Sequence, residues 1–240
     1  MTITEYTINA AVENDVRFVF VSDLHDRENA PIIEAIRGSH ADAVLVGGDF
    51  IHNSIRYERG FEFLRDCADI LPTFCSLGNH EMKYGGGDLF PRIHKTGATL
   101  LDNSYCNFKG INIGGLSTGY KLLQRQSHFE RTPAPDIDFV RKFSSLDGFK
   151  LLLSHHPEYY PKYIKDKNID LTLSGHAHGG QWRFFGQGVY SPGQGLFPKY
   201  TSGMYEGKLI VSRGLSILNP IPRIQNQPEM LIINIVRLTK

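Results

Sequence analysis

The chain predicts an α/β fold in which two sheets pack together with helices outside. Three observations lead there. Strand-like and helix-like segments alternate through the first half, the βαβ pattern of a largely parallel sheet. Later segments are short, β-rich and joined by turn residues, as in hairpins. A length of 240 residues with 41% hydrophobic content supplies one large core, so residues 1–240 are read as a single domain.

Thr4 to Asn9 and Val16 to Ser22 read as strands, and the Glu13-Asn14-Asp15 cluster between them predicts a hairpin. Val16 to Val21 is mostly apolar, which fits a strand buried on both faces. Asn29 is placed to cap a helix, with Pro31 in the first turn and Ile32, Ile33 and Ile36 along one face. Ala43 to Gly47 is the next strand. Arg56 to Ile70 reads as a helix with Phe61, Leu64 and Ala68 on one side. Thr73 to Leu77 is a third strand, and Gly85-Gly86-Gly87 leads to a short helix over Asp88 to Lys95.

Ala98 to Leu101, Ser104 to Lys109 and Ile111 to Leu116 are joined by Asp-Asn and Lys-Gly turns and predict an antiparallel meander. Asp136 to Ser145 reads as a helix. Phe149 to Leu153 and Ile169 to Leu173 read as strands around a helix from Tyr159 to Lys165. The last third is β-rich, at Trp182 to Phe185, Lys208 to Ser212 and Leu231 to Arg237. Residues 186–207, rich in Gly, Pro and Tyr, read as a long ordered loop. The spacing of Trp182, Phe184 and Phe185 predicts sheet core. Tyr190, Phe197, Tyr200 and Tyr205 are placed to line a cleft for an apolar leaving group.

Charge narrows the function. With 26 basic and 25 acidic residues the formal net charge is +1, and no long Lys or Arg run occurs. That disfavours long nucleic acids as substrates or partners. Cys67, Cys75 and Cys106 are odd in number and form no CxxC pair, which argues against a disulfide framework and for a reducing compartment. Met1 to Asn14 has no basic and apolar leader pattern, and the longest apolar stretches are too short to span a bilayer. A cytoplasmic location is the expectation.

Five short segments carry the chemistry: Asp23-Leu24-His25, Gly48-Asp49, Gly78-Asn79-His80-Glu81, His155 within Leu153 to Pro157, and Gly175-His176-Ala177-His178. Each follows an apolar strand-like run, and ligands of α/β sheets gather at the carboxyl ends of strands. Side chains two apart in an extended segment point the same way, so Asp23 and His25 can reach one ion, as can His176 and His178. Asp49 follows Gly47-Gly48, where the backbone can turn sharply, and is the best candidate for a carboxylate bridging two cations. Asn79 offers an amide oxygen and His155 an imidazole.

Imidazole and carboxylate without thiolate suit two divalent ions of Mn, Fe or Zn. Two such ions, roughly 3.5–4 Å apart, would bind a phosphoryl group and supply a bridging hydroxide as nucleophile. His80 and Asn79 are the candidate catalytic residues, His80 giving a proton to the leaving oxygen or bonding a phosphate oxygen. Glu81 either orients His80 or is a solvated carboxylate. His156 is expected to point away from the metals, and His52 to lie on the surface. Arg213 either meets a substrate phosphate or closes an ion pair.

The ordered set from Asp23 to His178 resembles the calcineurin-like metallophosphoesterase family. That resemblance implies a four-layer α/β/β/α sandwich of two mixed sheets flanked by helices. It implies Asp23, His25, Asp49 and His178 on one metal, and Asp49, Asn79, His155 and His176 on the other, with His80 beside the scissile phosphate. Gly175 to Gln181, Leu196 to Tyr200 and Ser212 to Leu215 look like a bacterial branch of cell-wall-associated phosphoesterases and UDP-diacylglucosamine pyrophosphatases. The implied activity is that of a phosphodiesterase or pyrophosphatase acting on a small phosphoester or a nucleotide-sugar-lipid-like substrate, including a lipid at a membrane surface. Phosphomonoesterase, nuclease and a weakly catalytic cell-wall or membrane-surface binding protein are the alternatives. Asp26-Arg27-Glu28 after His25 is more charged than that pattern implies.

Overall fold

The computed structural model describes residues 1–52, 57–126, 130–216 and 222–238. In chain order these form β1 (Thr2–Ala10), β2 (Val16–Val21), α1 (Ala30–Arg37), β3 (Ala43–Gly47), α2 (Glu58–Ala68), β4 (Thr73–Ser76), α3 (Leu89–Lys95) and β5 (Thr99–Leu100). Then come β6 (Ser104–Phe108), β7 (Ile111–Leu116), α4 (Ile137–Ser144), β8 (Lys150–Ser154) and β9 (Leu171–Ser174). Short strands β10 (Arg183–Phe184) and β11 (Gln187–Gly188) make one small hairpin, and β12 (Tyr190–Ser191) and β13 (Gly195–Leu196) another. β14 (Gly203–Tyr205), β15 (Leu209–Val211) and β16 (Glu229–Arg237) follow.

Two six-stranded mixed sheets result, ordered β1-β16-β2-β3-β4-β5 and β14-β15-β9-β8-β7-β6. Alternation along the strands explains how they stack. Phe18 and Phe20 of β2, Ala43 and Leu45 of β3, and Leu231 and Ile233 of β16 meet Ile113, Leu151, Leu153 and Leu173 of the second sheet in a central core. The intervening Val19, Val21, Val44 and Val46 face outward onto α1, α2 and α3. Leu152 and Val211 face outward onto Phe139, Val140 and Phe143 of α4. Helices thus cover both outer faces, which is the four-layer arrangement. Strands buried on both sides lose the polar alternation of a surface sheet.

Several expectations are corrected. β1 and β2 do not form a hairpin: β16 lies between them, parallel to β1 and antiparallel to β2. The apolar runs of β2 and β16 need neighbours at both edges, whereas β1 alternates between half-buried and exposed residues and takes the edge. The predicted meander is also broken. β5 joins the first sheet parallel to β4, and only β6 and β7 pair as a hairpin. Asp102 and Asn103 do not close a turn. Asp102 accepts a hydrogen bond from the Ser117 hydroxyl (2.6 Å), and the Asn103 side chain accepts one from the Ser117 N–H (3.1 Å), which pins the crossing between sheets.

Asn29 precedes α1 as expected, but its side chain makes no cap bond; it donates to the Arg59 carbonyl (3.0 Å). Arg56, the expected start of the second helix, lies outside the described residues, and α2 runs from Glu58. The predicted helix over Tyr159 to Lys165 is a π-helical turn at Tyr160–Ile164, closed by the Lys165 N–H on the Tyr160 carbonyl (2.8 Å). Trp182, Phe184 and Phe185 are not sheet core: they are 39%, 48% and 107% exposed, on and beside a two-residue β10 that pairs with the two-residue β11 on one side and a single bridge at Ile224 on the other. Tyr200 is buried among Tyr160 and Leu209, and Phe197 is exposed. Among the described residues no helix is long and apolar enough to cross a membrane.

Candidate metal centre

The carboxyl ends of β2, β3 and β4 in one sheet meet those of β8 and β9 in the other. Every segment singled out in the sequence leaves one of these ends, so the topology alone brings them together. Two groups form. Ligand atoms of Asp23, His25 and His178 lie within 4.8 Å of one another, and so do those of Asp49, His155 and His176. Asp49 stands between the groups: its Oδ2 is 3.1 Å from His155 Nε2, 3.7 Å from His25 Nε2 and 4.0 Å from His80 Nε2. His178 Nε2 is 3.2 Å from His25 Nε2 and 3.4 Å from Asp23 Oδ1.

The backbone is bent hard to make this site. Asp23 (φ 54°), His25 (48°), Asp49 (52°), His176 (65°) and His178 (46°) all adopt the left-handed conformation. Such non-glycine residues are uncommon and tend to mark functional sites. Glycine is required at two neighbouring points. Gly48 has φ 86°, and a Cβ there would stand 2.5 Å from Gly78 N; a Cβ on Gly78 would run into the Asp49 carboxylate. With that space clear, Asp49 Oδ1 accepts the His80 N–H (2.8 Å).

Supporting bonds aim the side chains. Gly47 O lies 2.8 Å from His155 Nδ1, which holds that nitrogen as the N–H donor and leaves Nε2 facing the site. Ser216 Oγ takes His178 Nδ1 (3.0 Å), and His52 Nδ1 lies 3.3 Å from His25 Nδ1. The Asp23 carboxylate accepts the His176 N–H (3.0 Å) and the Ser22 hydroxyl (2.7 Å). Asn79 is held from both sides by Gln126: its Nδ2 donates to Gln126 Oε1 (3.1 Å), and Gln126 Nε2 donates to the Asn79 carbonyl (2.8 Å). The amide is therefore oriented with Oδ1 turned inward, buried and without a hydrogen-bond partner.

Other residues fall differently from expectation. Glu81 is neither solvated nor bonded to His80. It is fully buried, and its carboxylate accepts the N–H groups of Gly78 (2.7 Å), Asp49 (2.9 Å) and Ile51 (3.2 Å). It thereby splices the β3 and β4 loops. His52 is half-buried beside the site, its ring stacked 4.8 Å from that of His80. His156 turns away from Asp49 toward Thr118 (2.9 Å) and Glu158 (3.4 Å), yet its ring packs 4.3 Å from that of His176. Arg213 closes an ion pair with Glu229 (3.0 Å). Gln126, Ser216 and Glu158 carry no sequence signal of their own, since each acts through a neighbour brought close by the fold.

The electrostatics are those of a site built around cation charge. Burial, and then the Asp49 charge, push the Asp23 carboxyl up to about 6 against the pull of His155. Burial opposes ionisation of Asp49 too, but His155, His80 and His25 hold it well below the usual carboxylate range. Burial lowers His25 to about 4. Ligand atoms at about 2.1 Å from one ion stand about 3.0–3.4 Å from each other. The Asp49–His155, His25–His178 and Asp23–His178 separations match that, and the buried His155 Nε2 and Asn79 Oδ1 lack hydrogen-bond partners. The residues present fit divalent metal.

Residues 16–180 match the family model described as calcineurin-like phosphoesterase. An uncharacterized metallophosphoesterase of Helicobacter pylori (strain ATCC 700392 / 26695) is 28% identical over 177 residues, covering 71% of this chain and 46% of the relative. Phosphodiesterase YaeI of Escherichia coli (strain K12) is 25% identical over 245 residues, covering 92% and 82%. The chain spans about half the length of the first curated relatives it matches. Among solved structures, TT1561 of Thermus thermophilus superposes with a TM-score of 0.51 at 14% identity, covering 67% of this chain and 81% of that one. A putative 5'-nucleotidase from Staphylococcus aureus gives 0.52 at 15%, covering 94% and 55%. The family model spans the sheet ends from which these residues project, and the fold is shared, so this chain belongs to the calcineurin-like phosphoesterase family.

Proposed function

We propose that the protein is a binuclear metal-dependent phosphohydrolase acting on phosphodiesters or pyrophosphate bonds, with residues 1–240 serving one site. Asp23, His25, Asp49 and His178 hold one ion; Asp49, Asn79, His155 and His176 hold the other. The observation that carries this reading is the position of Asp49 Oδ2, within reach of His25 on one side and His155 on the other. Two divalent ions of Mn, Fe or Zn supply Lewis acidity and an activated water nucleophile when bound. The chain's own part is positioning. Asn79 and Asp49 fix the ligand frame, and His80, whose Nδ1 is buried without a partner, donates a hydrogen bond to the leaving oxygen. A neutral charge balance favours a small substrate over a polynucleotide.

One observation favours an amphiphilic substrate of the nucleotide-sugar-lipid kind. Trp182, Phe184 and Phe185 are exposed directly after the His176–His178 segment, where an apolar chain on the leaving group could rest. The test is elemental analysis after reconstitution with Mn, Fe or Zn, followed by a panel of diesters, diphosphate diesters, monoesters and single-stranded DNA. About two ions per chain and preference for the first two classes is the expected result. Metal well below one equivalent, or preference for monoesters or DNA, refutes the reading.

A further inference from the structure

Beside the metal centre a small cleft opens, lined by Asn79, Lys83, Tyr120, Gln126, Thr132 and His176 together with Pro192 and Gly193. Asn79 and His176 belong to one side of the centre, so the cleft continues from the place where a phosphoryl group would sit. Apart from Pro192 and Gly193, its lining otherwise consists of neutral hydrogen-bonding groups and one cation, Lys83. Lys83 follows the Asn79-His80-Glu81 segment, on the short helical turn Glu81–Lys83 that the Glu81 carboxylate anchors. Lys83 is half-buried, and its ammonium makes no hydrogen bond or ion pair among the described residues.

That is an unfavourable arrangement for stability alone. Taking an ammonium partly out of water without a partner costs free energy. Burial accordingly lowers the Lys83 pKa, with Asp49 and Glu81 opposing. Its charge is felt at His25 and His80, so it bears on the metal centre from the side. Asp49, the foremost charge acting on Lys83, makes no ion pair with it and is itself engaged by His155 and the His80 N–H. A half-buried cation that faces a polar cleft, one step from a phosphoryl site, is completed by an anion arriving with the substrate.

We propose that Lys83, with Gln126, Tyr120 and Thr132 around it, forms a subsite for a second phosphoryl group next to the one being cleaved. This rests on the phosphohydrolase reading and narrows it: the preferred substrate class is a diphosphate diester rather than a simple phosphodiester. Gln126 has a double duty there, since the amide that orients Asn79 also lines the cleft. The scissile phosphoryl is held by the metal ligands, and the second phosphoryl meets the ammonium as a charge-assisted contact.

The test uses metal-loaded protein as wild type, Lys83→Met and Lys83→Arg, with metal content measured for each. Calorimetry compares methylenediphosphonate, which presents two phosphoryl groups, with methylphosphonate, which presents one. Lys83→Met is expected to weaken the diphosphonate by about 10- to 100-fold, the size of a lost charge-assisted contact, and methylphosphonate by less than about 3-fold. Lys83→Arg is expected to stay within about 3-fold of wild type for both, since it keeps the charge. Equal weakening of both probes would place Lys83 on the scissile group and overturn the subsite, as would no weakening of either. The two readings fail separately. Lys83-dependent diphosphonate binding with no turnover of any phosphoester removes the hydrolase reading and leaves the subsite. Turnover without Lys83-dependent discrimination does the reverse.

Discussion

Removing the Glu81 carboxylate is expected to unfasten the metal centre from below. Its two oxygens accept the N–H groups of Gly78, Asp49 and Ile51, at 2.7, 2.9 and 3.2 Å, in a site closed to water. Glu81→Ala leaves three buried donors without acceptors, each worth about 1–3 kcal/mol. Burial and the Asp49 charge push the Glu81 carboxyl up to about 8, so deleting it also relieves a cost. The net loss should therefore sit at the low end, about 3 kcal/mol, which is a large share of a typical domain's stability. Glu81→Gln separates the bonds. If its amide oxygen replaces Oε2, it keeps the Gly78 and Asp49 donors and turns its NH₂ onto Ile51, losing one bond and about 1 kcal/mol. Urea unfolding of metal-free protein, followed by circular dichroism, measures both variants. A Glu81→Ala loss under about 1 kcal/mol, or Gln and Ala losses that are equal, would refute the splice.

Two further outcomes follow from the ligand frame. Asp49→Asn should lose more activity than Asp23→Asn and release both ions rather than one, because Asp49 faces both ligand groups; elemental analysis of the two purified variants decides it. His80→Ala should keep its full metal content and slow alkyl phosphodiesters by about 10²–10⁴-fold, while slowing nitrophenyl esters much less, since nitrophenolate leaves without a proton. Paired rate ratios at matched metal loading check it, and loss of a metal ion would make His80 a ligand.

Much of the site could be read before the fold because its residues follow strand ends in short, recognisable groups. Asp23-Leu24-His25 and His176-Ala177-His178 announce themselves by spacing. Their left-handed backbone does not, because φ is set by the loops that press against them. The two sheets were legible from the apolar runs at Val16 to Val21 and Ala43 to Gly47. Strand order was not: whether β16 sits beside β1 or between β1 and β2 depends on pairing across more than 200 residues, which local pattern does not encode. Trp182 to Phe185 misled because alternation reports a strand and says nothing of whether a second layer covers it. Glu81 stands out in the sequence beside His80, but its true partners are backbone groups, and Gln126 carries no signal at all, because these partners are brought close only by folding.

The insertion of β16 between β1 and β2 has a consequence for how the protein is born. Asp49, Gly78 and Glu81 lie within one local stretch and can lock together as soon as β3 and β4 have left the ribosome. The Asp23 loop is then only partly fastened, by Asp23 N–H on the Gly48 carbonyl and His25 N–H on the Asp49 carbonyl (3.1 Å each). Its remaining bonds, Leu215 N–H on the Ser22 carbonyl (3.0 Å) and Ser216 N–H on the Asp23 carbonyl (2.7 Å), come late, and the β2 edge away from β3 is covered only by β16. At translation rates of about 5–20 residues per second, Asp23 waits about 10–40 s for those partners to be made. The Glu81 splice therefore precedes both ligand groups, each of which needs a histidine from His155 to His178, and the Asp23 loop is closed last. An unpaired, apolar β2 edge stays available to chaperones or to wrong strands for that whole interval.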